Sequence, residues 1–206
     1  MHLTRRTLTA ALLLLIASKA VSQEQIAKPP EVVKITPSEY AIYSVVLNEW
    51  ILSDEKKVSR IVVQQTTSTA APPEWSGLSL VPGWQALRDI EPEDLRAAFQ
   101  QQNESYVSKL SAADLKCKVQ CVAVKKNKLA AFFEKHGGQW KDFYKAFPQA
   151  QGITILSRIG FDEQEGLALV YVGTMRGHLA GEGDLILLEK REGVWKIKQG
   201  ELIWLS

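Results

Sequence analysis

Three side chains that could do chemistry are close together in the sequence, in and beside a glycine-rich segment, residues 175–183. They are His178, Glu182 and Asp184, and Arg158 and Arg176 could lie near them. An imidazole beside carboxylates can hold a metal ion or act as a general acid and base. No spacing among these residues matches a fixed catalytic motif, and glycine-rich hairpin loops with polar residues are common without any such role. The alternative hypothesis is therefore a small hydrolase or metal-assisted enzyme that uses the loop around His178.

Arg158 stands among the apolar residues of a predicted strand. A buried guanidinium must find a partner or reach water, so we expect it to pair with a core carboxylate or to face a ligand. Trp75 and Trp84 lie in a proline- and glycine-rich segment, and they could line a ligand site or pack that segment onto the core. With His178, these residues are the candidate ligand-binding residues, and no residue is assigned a catalytic role.

Residues 1–22 have the three regions of a secretory signal peptide. A basic region with Arg5 and Arg6 comes first, an unbroken apolar run follows, and small residues come last. Because the apolar run is shorter than the roughly 20 residues of a spanning helix, we expect cleavage after Ala20 or Ser22 and no transmembrane span in the mature chain. The protein is predicted to be exported, and either periplasmic or secreted.

Cys117 and Cys121 are the two cysteines of the chain. In an exported protein, two cysteines are usually paired. Four residues along a strand span roughly 13 Å, whereas bridged Cα atoms lie within about 7 Å of each other. If this segment is a straight strand, the cysteines are two buried thiols; if it bends, they can close a small disulfide loop. A metal site is not expected, because the spacing is loose and the nearest histidine, His136, is 15 residues further on.

Charge and motifs exclude several classes of function. The chain has 25 Lys and Arg against 23 Asp and Glu, and residues 1–22 hold three of the basic residues and none of the acidic ones. The mature chain therefore has 22 basic and 23 acidic residues, a net charge of −1, which gives no electrostatic basis for binding nucleic acid. A solvated face most simply explains the lysine-rich stretch Lys116, Lys118, Lys125, Lys126 and Lys128. No phosphate loop, nucleophile elbow or zinc-protease motif occurs, so we expect no cofactor and no metal. The sequence identifies no partner, and the predicted export makes a protein or small molecule of the cell envelope the candidate.

The first element that must position these residues is an N-terminal helix. Thr36 is typical of an N-cap, Pro37 suits the first helical position, and Glu39 completes a capping box. Apolar residues at helical spacing continue to about Ile51. Residues 23–35 are polar and contain prolines, which predicts a linker. The sequence further predicts a strand within residues 57–69, a helix over 92–102, a half-buried strand over 115–124, and short helices over 127–135 and 139–147 with a break at Gly137 and Gly138.

Residues 151–206 hold four apolar runs separated by turn residues, the pattern of an antiparallel meander. Both faces of the run over residues 167–175 are apolar, as in a central strand covered on both sides. A tight hairpin turn is predicted at residues 191–193, and a change of phase along the last strand predicts a bulge at Gly200. Four residues of the first run are expected to share one face: Ile153, Ile155, Ile159 and Phe161.

The same part of the chain resembles a group of exported bacterial proteins of unassigned function. The segments that carry the resemblance are Leu156-Ser157-Arg158-Ile159-Gly160-Phe161, Ala168-Leu169-Val170-Tyr171-Val172, Gly181-x-Gly183, Gly193-x-Trp195-Lys196-Ile197 and Trp204-x-Ser206. The resemblance covers the last third of the chain well and the first helix more loosely. It implies the fold class and an exported compartment, and it implies no activity.

Together these patterns predict a single α+β domain over residues 36–206, with an N-terminal helix and short helices packed on a curved antiparallel sheet of five or six strands that ends in a four-strand meander. The favoured function is a non-catalytic exported module that binds a small ligand or a protein partner. An apolar pocket with one buried arginine would favour that hypothesis. Convergence of His178, Glu182 and Asp184 within hydrogen-bond reach would favour the enzyme.

Overall fold

A computed structural model describes residues 29–52, 57–68, 92–162, 164 and 166–206. The predicted signal peptide and the segment with Trp75 and Trp84 lie outside these residues. The helices are α1 (Pro37–Val45), continued by a π-helical segment (Val46–Ile51), α2 (Glu93–Ser105), α3 (Lys126–Lys135) and α4 (Trp140–Ala146). The strands are β1 (Glu31–Val32), β2 (Arg60–Gln64), β3 (Tyr106–Val107), β4 (Gln120–Val124), β5 (Ala150–Leu156), β6 (Gly160–Asp162), β7 (Leu167–Gly177), β8 (Ala180–Arg191) and β9 (Val194–Leu205).

The predicted α+β class is confirmed, and the main sheet is larger than expected and mixed. Its seven strands run in the order β4-β2-β5-β7-β8-β9, with β6 also beside β7. The part from β5 to β9 is antiparallel, as the meander predicted. β2 departs from the antiparallel arrangement, because it pairs in parallel with both β4 and β5. Parallel neighbours need a long crossover connection, and here α2 lies between β2 and β4, while α3 and α4 lie between β4 and β5.

The start of α1 is confirmed at the predicted capping box. The hydroxyl of Thr36 accepts a hydrogen bond from the backbone N–H of Glu39, and the carboxylate of Glu39 accepts one from the backbone N–H of Thr36. These reciprocal bonds satisfy two N–H groups that a helix start would otherwise leave without partners. Ile42, Val46 and other residues on one side of the helix are fully buried against the sheet.

Helices cover both faces of the sheet, and the central strand β7 shows how. Its residues Ala168, Val170 and Val172 pack in the core with α1. The alternate residues, including Leu169 and Tyr171, pack in a second core with α2. Since successive side chains of a strand point to opposite faces, this two-sided burial explains why the run over residues 167–175 is apolar throughout.

The first run of the meander does not form one continuous strand. Leu156 pairs with Val172, and Gly160 pairs with Leu169. The three residues between Leu156 and Gly160 therefore lie opposite only two residues of β7. This bulge lies at residues 157–159 and reverses the side-chain alternation. As a result Ile153 packs with the α3–α4 helices and Ile159 packs with α1, so the expectation that the four apolar residues share a face was wrong.

The last hairpin is confirmed, whereas the bulge predicted at Gly200 was wrong. Glu192 and Gly193 both have positive φ, as a two-residue type I′ turn requires. The register between β8 and β9 shifts at Lys198 and again at Ile203. Two shifts cancel, so Trp195 packs in the core with α1 and Trp204 packs in the core with α2, on the opposite face. Gly200 instead lies against the ring of Trp50. A Cβ atom at this position would overlap that ring, so the close contact requires glycine.

The segment before β4 bends, and this settles the state of the cysteines. Only residues 120–124 of the predicted strand over 115–124 are extended in the sheet. The bend brings the Cα atoms of Cys117 and Cys121 to 6.2 Å, and the two sulfurs form a disulfide bond. Of the two alternatives, the structure has the small disulfide loop.

We expect the double substitution of Cys117 and Cys121 by serine to lower the free energy of unfolding by about 2 kcal/mol, because a loop this short removes limited entropy from the unfolded chain. Urea unfolding followed by circular dichroism measures the loss. A reductant should destabilise the natural chain by a similar amount and leave the variant unchanged. Equal stability of the variant and the natural chain would contradict this prediction.

Candidate functional site

Arg158 lies in the bulge between β5 and β6, and its guanidinium is buried. Its Nη2 atom lies 2.7 Å from Oε1 of Glu39, and the side chains are only 7% and 3% exposed. Its Nη1 atom donates a hydrogen bond of 2.8 Å to the hydroxyl of Ser108. The predicted pairing of Arg158 with a core carboxylate is therefore confirmed, and the carboxylate comes from the capping box of α1.

The backbone of the bulge is held by helix α2 and by the serine before the arginine. Asn103 accepts a hydrogen bond from the N–H of Arg158 and donates one to its carbonyl. The hydroxyl of Ser157 accepts a hydrogen bond from the N–H of Tyr171, where a regular strand would offer a carbonyl. The hydroxyl of Tyr43 in turn donates to the carbonyl of Ser157. These bonds fix Arg158 between α1 and α2.

A polar cavity of about 480 Å³ opens beside this ion pair. Its walls include Phe161, Lys190 and Trp195, and the ammonium of Lys190 lies 5.7 Å from the centre of the Trp195 ring. Arg158 and Glu39 form part of the wall, but they are already paired with each other. Breaking a buried ion pair leaves an uncompensated charge, so we assign these two residues a structural role.

His178, Glu182 and Asp184 are not brought together. Glu182 and Asp184 are two apart on β8, on the same face as Val172 and α1, and Glu182 forms an ion pair of 2.7 Å with Arg176. His178 lies in the turn after β7 and contacts the opposite side, where a Cβ atom on Gly138 would be 3.3 Å from its Cε1 atom. Within the described ranges, no group of three or more His, Cys, Asp or Glu side chains is placed to hold a metal ion. The geometry that would favour the enzyme is absent from this part of the chain.

Asp184 is a buried carboxylic acid with a perturbed pKa. Burial raises the pKa of Asp184 from 3.8 to about 6, and a hydrogen bond from Trp50 partly offsets that effect. The folded protein therefore holds this proton to a higher pH than the unfolded chain does. The stability that this protonation contributes is complete below about pH 4 and is lost as the pH rises through about 6.

We expect Asp184→Asn to stabilise the protein at pH 7 by about 1–2 kcal/mol, because the amide has no charge to desolvate. The difference from the natural chain should shrink as the pH falls towards 4. Urea unfolding at a series of pH values measures it, with the exposed Asp114→Asn as a control that should have little effect. A loss of stability at pH 7 in the Asp184 variant would contradict the prediction.

A second cavity, of about 400 Å³, lies between helices α3 and α4 and the sheet, and we call it the apolar cavity. Its lining is mostly apolar and aromatic, with His178 at one side and Lys126 at another. It comprises Gln64, Lys126, Leu129, Ala130, Phe133, Gly138, Trp140, Ile153, Ile155, Met175, Gly177 and His178. Of the candidate ligand-binding residues, His178 lies at this cavity, Arg158 lies at the polar one, and Trp75 and Trp84 are outside the described residues.

An aromatic cluster forms the helical wall of the apolar cavity. The ring centroids of Phe133 and Trp140 are 5.0 Å apart, and Phe143 lies within 5.3 Å of Trp140 and 6.0 Å of Phe133. The hydroxyl of Tyr144 donates to the carbonyl of Arg176 and ties α4 to β7. In the sequence these aromatic residues are typical of ordinary helix cores, and their own pattern does not indicate that the two helices leave a cavity between them and the sheet.

The break between the two helices is the signal that could have indicated a cavity. Gly137 and Gly138 both have positive φ and separate α3 from α4, as predicted. Gly138 lines the cavity, and a side chain here would meet the imidazole of His178. A glycine at this position therefore keeps the helix break close to the β7–β8 turn.

Comparison with family models, with curated proteins and with solved structures finds no match to this chain. Among the described residues, no helix has both the length and the apolar character needed to cross a membrane. The assignment of function therefore depends on the geometry of the two cavities.

Proposed function

We propose that this protein is an exported, non-catalytic module that binds a small, largely apolar ligand in the apolar cavity. One observation carries the proposal, a preformed concave site of about 400 Å³ with aromatic and aliphatic walls and few polar groups. Sites for small molecules have volumes of roughly 300–1,000 Å³ and this kind of lining. The cavity is the one that His178 borders, so the proposal keeps that residue as a ligand contact.

The walls of the cavity are supported from behind, which favours a preformed site. Phe143 is fully buried beneath the aromatic cluster, and Ile153 of β5 is nearly so. Gln64, one of the few polar residues of the lining, donates its amide N–H to the carbonyl of Thr66 at 2.9 Å. A ligand would therefore meet mainly apolar surface, and burying that surface is the main favourable term expected on binding.

Ala130 allows a direct test of the cavity. It is exposed on α3 and lines the apolar cavity, so we expect a tryptophan at this position to obstruct the cavity without entering the core. Ala131 is the next residue on the same exposed helix surface and does not line the cavity. The variants Ala130→Trp and Ala131→Trp thus make the same chemical change with and without obstruction.

The neutral fluorophore N-phenyl-1-naphthylamine is a suitable ligand for this test, because it is apolar, aromatic and uncharged. We expect saturable binding to the natural chain, a loss of about tenfold or more in affinity in Ala130→Trp, which is a change of at least about 1.4 kcal/mol, and unchanged affinity in Ala131→Trp. Both variants should unfold at similar urea concentrations. Absence of binding to the natural chain, or equal affinity of the two variants, would overturn the proposed function.

A further inference from the structure

A basic groove adjoins the apolar cavity. This concavity, of about 780 Å³, shares Lys126 and Ala130 with the apolar cavity. Its lining, as far as the structure describes the chain, contains three lysines, Lys109, Lys125 and Lys126, and no acidic residue. The apolar and basic surfaces therefore meet at Lys126 and Ala130.

Tertiary structure gathers the three lysines. Lys125 and Lys126 lie at the start of α3, directly after β4. Lys109 comes from a separate segment, whose backbone pairs with Thr66 in an isolated antiparallel bridge. Further backbone bonds, from Leu110 to Gln65 and from Gln65 to Val124, hold these segments in one frame.

The three lysines of the groove are exposed, and no described carboxylate pairs with them. Like charges held close together repel each other, and an anion placed among them is attracted. The solvated face proposed for this stretch of sequence accounts for the exposure of Lys125 and Lys126, but it does not account for the addition of Lys109 from another part of the chain.

We propose that the ligand of this protein is an amphipathic anion, with its apolar body in the apolar cavity and its anionic head in the basic groove. This inference rests on the proposed function, since it places the apolar body in the same cavity. A carboxylate on an alkyl chain has the required chemistry, because its head needs positive charge and its chain needs apolar surface. Lys126 is the residue that would contact the ligand where the two parts join.

Decanoate and decanol are a matched pair of test ligands, because they have chains of equal length and differ in the charge of the head. Each is titrated by calorimetry into the mature chain at low salt, below the concentration at which decanoate forms micelles. We expect decanoate to bind about tenfold more tightly than decanol, and the advantage to shrink at high salt, where screening extends over only a few ångströms. Inorganic phosphate alone should bind weakly, because it lacks the apolar body.

Lysine variants test the position of the head. The triple substitution of Lys109, Lys125 and Lys126 by glutamine should reduce the affinity for decanoate to that for decanol and leave decanol unaffected. Lys128→Gln is the matched control, since Lys128 is exposed on the same helix and does not line the groove. Equal affinities of the natural chain for decanoate and decanol, or an equal effect of the control, would overturn the inference.

The outcomes separate this inference from the proposed function. If N-phenyl-1-naphthylamine and decanol bind and Ala130→Trp weakens them, but decanoate has no advantage, the cavity binds apolar molecules without selecting anions, and only the inference fails. If none of the three binds, both fail. If decanoate binds to the natural chain and to Ala130→Trp equally well, its chain does not occupy the apolar cavity, and the inference fails as well.

Discussion

Glu39→Gln should lower the free energy of unfolding by about 3–5 kcal/mol, because it leaves the guanidinium of Arg158 buried without a counter-charge. The two side chains are less than a tenth exposed and their charged atoms are 2.7 Å apart. Glutamine is nearly the same size as glutamate and is itself a common partner in capping boxes. The substitution therefore removes the charge and keeps the start of α1. Urea unfolding followed by circular dichroism at neutral pH measures the loss.

Glu189→Gln is the matched control for the loss of an ion pair. Glu189 pairs with Arg191, whose side chain is 65% exposed, and such surface pairs contribute at most about 1 kcal/mol. The double variant Glu39→Leu/Arg158→Met should recover a large part of the stability, because neither charge is then buried. If Glu39→Gln costs no more than Glu189→Gln, the buried pair does not have the structural role assigned to it.

Phe143→Ala should cost about 3–5 kcal/mol as well, because it removes a fully buried aromatic side chain and leaves a void. Phe143 is 0% exposed and lies in the core that joins α3 and α4 to β2 and β5. Its ring is 5.3 Å from that of Tyr144 and 5.0 Å from that of Phe147. Those contacts are lost together, and the helical wall of the apolar cavity loses its support.

Two measurements decide the outcome for Phe143. Urea unfolding gives the loss of stability, and the exposed neighbour Lys141→Ala should change it by no more than about 0.5 kcal/mol. Binding of N-phenyl-1-naphthylamine to the folded variant should weaken in parallel, because Trp140 and Phe133 would no longer be held in place. A loss of less than about 1 kcal/mol would show that the aromatic cluster does not anchor these helices.

The sequence by itself determined the features that depend on neighbouring residues. The capping box of Thr36 and Glu39 spans one helical turn, and the structure has both of its hydrogen bonds. The helix break at Gly137 and Gly138 and the position of Gly193 in the last turn follow from backbone conformations that glycine adopts at low cost. The short turns between the apolar runs determined the antiparallel order of the last strands, because a connection of a few residues can join neighbouring strands only when they run in opposite directions.

Register and strand direction were decided by tertiary structure. An extra residue within residues 157–159 turns the following side chains to the other face, and apolar patterning cannot locate it because both faces of this part of the sheet are apolar. The parallel pairing of β2 depends on where the crossover helices pack, and no residue of β2 indicates it. The disulfide forms because the segment before β4 bends, whereas alternation alone predicted a straight strand.

The candidate site was also decided by tertiary structure. Arg158 was recognisable as a buried cation from its apolar neighbours, but its partner Glu39 comes from the first helix. His178 and Glu182 are close in sequence, but His178 lies beside Gly138 and Glu182 lies opposite Thr174 on the other face of the sheet. The apolar cavity and the basic groove exist only where separate segments pack and leave space. Local sequence specifies which residues are apolar or charged, and long-range packing specifies which of them share a site.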